Sequence, residues 1–134
     1  MTVVVVGQSP QQRFVSDLNF RHDEQEFIAQ RRHERVPFAA GVTLMLESRG
    51  RWHRYSGYML DLSEGGCALR VYSAVNANVR GRLRIEVGNS AISVCVVTRW
   101  AKAESRGWTL GAEFDRPTPA QQSEIRHLIE RARR

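Results

Sequence analysis

The chain has 134 residues, enough for one domain with a real core and too few for two ordinary ones. Its 42% hydrophobic and 25% charged residues are those of a globular protein, and no apolar run approaches the length needed to span a membrane. The net charge of +6 rests on nineteen arginines and a single lysine, Lys102. Arginine's planar fork suits bidentate contacts to phosphate or to a base edge, so the bias suggests anionic partners, although arginine-rich codon usage would leave the same trace.

Residues 1–30 read as an N-terminal extension that is more polar than the rest. Val3 to Val6 is β-prone, Gly7 to Pro10 carries turn formers, and four valines with no basic flank make neither a signal peptide nor an anchor. Phe20, Glu24, Phe27, Ile28 and Arg31 fall on one helical face, which predicts a short helix leading into QRRHERVPF, residues 30–38. Pro37 pushes Val36 out of the helical region and so ends that helix near the arginines.

From Val36 to Asp115 the apolar period is two. Val42, Leu44 and Leu46, then Leu83, Ile85 and Val87, then Trp108, Leu110, Ala112 and Phe114 alternate with polar or small residues, the mark of half-buried antiparallel strands. Breaks at Ser48 to Arg51, Glu64 to Gly66, Asn76 to Gly81, Gly88 to Ser90 and Glu104 to Gly107 divide the region into about six strands. A small barrel is the economical arrangement, because closure removes exposed edges. Cys67 and Cys95 fall within these strands and read as buried reduced thiols of a cytosolic protein.

The tail predicts a helix over 119–132. Thr118 is an N-cap, Pro119 fits the first helical position, Gln121 completes a capping box, and Ile125, Leu128, Ile129 and Ala132 form one apolar stripe.

Catalysis finds little support. Ser63 lacks the flanking glycines of a nucleophile elbow, and His22, His33, His53 and His127 show no ligand spacing, so the reading is of a protein that is not an enzyme and holds neither metal nor cofactor. Two stretches stand out instead. Arg31 and Arg35 are spaced RxxxR, and DLSEGG places Asp61, Ser63 and Gly66 as DxSxxG. In a regular strand Asp61 and Ser63 point to one face, and the two glycines permit a tight turn. Taken alone, the first stretch reads as a solvated linker and the second as a turn bonding its own backbone.

Together, in this order and around six strands, they resemble the PilZ family of bacterial cyclic di-GMP receptors. The resemblance runs from about Arg31 to the C-terminus, taking in VVTRWA around Trp100 and LGAEF at Leu110 to Phe114. It implies a PilZ domain over 31–134, a six-stranded antiparallel β-barrel with a C-terminal helix, whose RxxxR loop folds over cyclic di-GMP held against the DxSxxG face. All five motif positions match. The implied ligand contacts are Arg31, Arg32, Arg35, Asp61, Ser63 and Gly66, with Trp100 either stacking on a guanine or packing at the barrel end.

Ligand chemistry agrees with this set. A guanine's O6 and N7 accept from an arginine fork, its N1 and N2 donate to a carboxylate, and the two phosphates take charge-assisted hydrogen bonds. The resemblance implies a cytoplasmic receptor that signals through an effector protein or by self-association. A nucleic-acid-binding barrel is disfavoured because Trp52, Trp100 and Trp108 are scattered along the sequence; a PilZ-like interaction module that binds no nucleotide is the other alternative.

Overall fold

The computed structural model describes residues 34–134; the helix predicted before the arginine cluster, the rest of the extension, and Arg31 and Arg32 lie outside the described residues. Six strands follow: β1 (Val36–Ser48), β2 (Arg51–Leu62), β3 (Gly66–Val71), β4 (Arg80–Val87), β5 (Ser90–Glu104) and β6 (Gly107–Phe114). Every neighbouring pair is antiparallel, and the ring closes in the order β1–β2–β3–β6–β5–β4: four of the pairs are sequential hairpins, while β3 turns away from β4 to pair with β6 and β4 pairs with β1. Four of the five breaks in the sequence pattern coincide with the strand ends; between β3 and β4, β3 already ends at Val71, before the break expected at Asn76 to Gly81. At the β1–β2 turn Arg49 and Gly50 both have positive φ, 55° and 77°, the pair of left-handed residues that a two-residue hairpin matching strand twist requires.

Alternation delivers the core. Val42, Leu44 and Leu46 of β1 meet Leu83 and Ile85 of β4, Val94 and Val96 of β5, Leu69 and Val71 of β3, and Leu110, Ala112 and Phe114 of β6 inside the barrel. Each such side chain contributes about 1.5–3 kcal/mol on burial, before chain entropy is counted. Cys67 is buried as expected, but Cys95 is exposed. It occupies the outward position between the inward Val94 and Val96, so alternation overrides the apolar look of its neighbours.

Thr98 is wholly buried and fully used: its hydroxyl donates to the Asn76 carbonyl at 2.7 Å and accepts from the Val79 amide at 2.9 Å. It thereby fastens the β3–β4 connection to β5.

The tail is helix α1 (Pro119–Ala132), with the predicted capping box formed in both directions and Pro119 in the first turn. Its buried Ile125, Leu128 and Ile129 join Val36 and Phe114 in one cluster, so the helix plugs the end of the barrel where β1 begins. Gln121 Nε2 also donates to the Ser93 carbonyl at 2.8 Å. No helix among the described residues is long and apolar enough to cross a membrane.

Candidate functional site

Arg35, the second arginine of RxxxR, meets the DLSEGG stretch at that same end of the barrel. Arg35 immediately precedes β1 and Asp61 is next to last in β2, and the register pairs Pro37 with Asp61. Arg35 Nη1 donates to Asp61 Oδ1 at 2.8 Å, with the two side chains 31% and 30% exposed. Motifs separated by twenty-five residues thus form one half-exposed ion pair.

A bulge aims Asp61. Met59 pairs with Leu69 and Asp61 with Ala68, so β2 spends one extra residue, Leu60, against a single step of β3. Met59 and Leu62 both face the core, and Asp61 is left outward between them. Bulges re-aim side chains in this way and recur beside binding sites.

Ser63 does not share the outward face of Asp61. It lies past the strand end, 5% exposed, and its hydroxyl works inside the turn, accepting from the Gly65 and Gly66 amides at 3.3 and 3.2 Å and contacting the Gly66 carbonyl at 3.2 Å. The turn closes with the Ser63 amide on the Gly66 carbonyl at 2.8 Å, and β6 holds it through the Phe114 amide on the Gly65 carbonyl at 2.9 Å. Gly66 has a packing reason to be glycine: a Cβ there would sit 2.3 Å from the Ala112 carbonyl oxygen.

Trp100 is brought to the outer surface by a second bulge. Thr98 pairs with Ala112 and Trp100 with Gly111, which makes Arg99 the extra residue and reverses the phase of β5. The indole lies across Gly111, where a Cβ would fall 2.2 Å from Trp100 Nε1. Reading across the sheet, Pro37, Asp61, Ala68, Gly111 and Trp100 are successive register partners in one transverse row. Carboxylate and indole therefore stand on either side of one methyl group and one hydrogen, about three strand spacings or 14 Å from Cα to Cα.

Beneath this row lies Cys67. Burial pushes its thiol well above the usual range, the Asp61 charge adds to the rise, and Arg35 opposes it. Two links were not legible in sequence. Arg126 of α1 reaches Glu64 of the turn at 3.2 Å, and Arg99 pairs with Glu113 beside Gly66's register position.

The PilZ domain family model matches residues 29–131. The chain belongs to the PilZ domain family. Among solved PilZ structures, the PilZ domain of YcgR from Escherichia coli with c-di-GMP superposes with a TM-score of 0.65 at 13% identity, covering 78% of this chain and 92% of that one. The Bacillus subtilis inhibitor of motility MotI/DgrA gives 0.61 at 16% identity over 76% of this chain. The K. pneumonia MrkH–c-di-GMP complex gives 0.60 at 15% identity over 74%. The aligned region covers half of each of the latter two chains. At such identities these likenesses speak to the PilZ fold, and the barrel order and plugging helix described above are that fold. No curated protein sequence matches the chain significantly.

Proposed function

We propose that this PilZ domain is a cyclic di-GMP receptor that acts without catalysis, as an adaptor passing the bound state to a partner protein in the bacterial cytoplasm. The observation that carries the reading is the Arg35–Asp61 ion pair, because it joins RxxxR to DxSxxG on the outer face of the barrel. A part-buried surface pair of this kind contributes about 1 kcal/mol to the fold, so a ligand that brings its own charged contacts displaces it at little cost. The solved complexes of YcgR and MrkH with the same dinucleotide support the choice of ligand.

In the bound state the Arg35 fork turns to the O6 and N7 acceptors of a guanine, and Asp61 accepts from N1 and N2 of a guanine. Arg31, four residues earlier, and Arg32 supply further forks for the second base and the phosphates. Ser63 and Gly66 hold the turn that presents Asp61, and Trp100 offers an aromatic face at the far end of the row. Two or three charge-assisted bonds at roughly 1.5–3 kcal/mol each, less the cost of association and of immobilising the contacting side chains, accord with an affinity of about micromolar.

Residues 1–30 form the extension that the clamped arginines would reposition, and it is there that the effector reads the signal. Titration calorimetry with cyclic di-GMP, cyclic di-AMP and GMP on the wild type, Arg31→Ala and Asp61→Ala tests the assignment. Saturable heat with cyclic di-GMP alone, lost in both variants, is the expected result; no heat from the wild type, or undiminished binding by the variants, would overturn it.

A further inference from the structure

A second surface lies away from the ion-paired row. On β4, Arg80, Arg82 and Arg84 occupy alternate positions, all exposed, with Gly81, Leu83 and Ile85 inward. Met45 of β1 is the register partner of both Arg82 and Arg54, so these two arginines flank it on the outer face, about 10 Å apart at two strand spacings. Arg54, Arg80 and Arg82 make no ion pair among the described residues, whereas Arg84 is bound to Glu86 at 2.8 Å. Glu47 is the other acidic side chain on this face, and the register sets it beside Trp52. Trp52 is 51% exposed on the same face, which leaves its ring open to a stacking partner.

We propose that the outer face of β4, β1 and β2 binds single-stranded nucleic acid, independently of the dinucleotide site. Arg80 and Arg82, two residues apart on one strand, stand about 6.8 Å from each other, a separation of the order of neighbouring phosphates on an extended strand. With Arg54 across the sheet they form three unpaired forks that can each neutralise a phosphate while a base stacks on Trp52. An acidic protein segment would answer the charge but has no use for the indole. A duplex would keep its bases stacked away from Trp52. The scatter of the tryptophans along the sequence is resolved by the fold: Trp108 packs on the core, Trp100 lies over Gly111, and Trp52 alone joins the arginine face. Nine residue steps along β2, about 30 Å, separate Trp52 from Asp61, so the two surfaces need not compete.

The test is fluorescence anisotropy of a labelled fifteen-thymidine oligonucleotide with the full chain at 50 and 200 mM NaCl, alongside a duplex of equal length and a polyglutamate peptide. Three neutralised phosphates predict affinity about twentyfold weaker at the higher salt. The double variant Arg54→Glu, Arg82→Glu loses at least about tenfold. Trp52→Ala loses about fivefold or more, together with the quenching of tryptophan fluorescence that the oligonucleotide causes in the wild type. These side chains are exposed, so circular dichroism and cyclic di-GMP calorimetry should be unchanged, which separates this surface from the dinucleotide site. Absence of binding at 50 mM salt, full binding by the double variant, or polyglutamate or duplex binding as tightly as the single strand would overturn the proposal.

Discussion

At the scale of single residues, the described motif positions divide into those left outward on the sheet and those that build the turn beside them. Ser63 belongs to the second kind, since its buried hydroxyl serves two amides of its own turn. Ser63→Ala leaves those amides without that partner and should lower stability by about 1–3 kcal/mol in urea titrations, a loss visible in the absence of any ligand. Gly66→Ala drives a methyl group into the Ala112 carbonyl, which is backbone and cannot swing aside, so a similar or larger loss is expected. The cysteines differ as sharply. The exposed Cys95 should react with a thiol reagent within minutes, while Cys67 should be labelled only on unfolding. Because the folded pKa of Cys67 lies above its unfolded value, the unfolded chain loses that proton first as pH rises past about 8.5, and stability falls there. A pH–stability profile of Cys67→Ala should lack that part of the decline.

At the scale of elements, six strands, their turns and the capped helix could be read from period two, glycine-containing breaks and TPAQ, because each is a local property of the chain. Thr118→Ala should accordingly cost about 1 kcal/mol by thermal denaturation, the usual worth of an N-cap. The site was legible as composition and not as geometry. Alternation alone would set Asp61 in phase with the buried Met59 and Trp100 in phase with Thr98; the extra residues Leu60 and Arg99 reverse both, while Ser63 leaves the face of Asp61 because it lies past the end of β2. Bulges carry no sequence signal of their own, since they are settled by how two distant strands come into register. The Arg35–Asp61 pair was hidden for the same reason, and so was the exposure of Trp52 beside arginines of another strand.

At the scale of the whole molecule, a barrel of this kind offers a rigid sheet on which one charged pair can be exchanged for a ligand without disturbing the core. Binding to the folded chain alone should then appear as added stability: cyclic di-GMP at about a hundred times its Kd contributes roughly 2.7 kcal/mol, and the melting temperature should rise by about ten degrees in a thermal shift assay. The Glu64–Arg126 contact connects the DLSEGG turn to α1, so part of that added order should be seen as slower amide exchange in the helix. The most direct test of the account is a calorimetric double-mutant cycle on Arg35 and Asp61 with cyclic di-GMP. Each alanine variant should lose at least about tenfold in affinity while the melting temperature of the ligand-free protein moves by no more than about 1 kcal/mol requires. Wild-type affinity in either variant would contradict it.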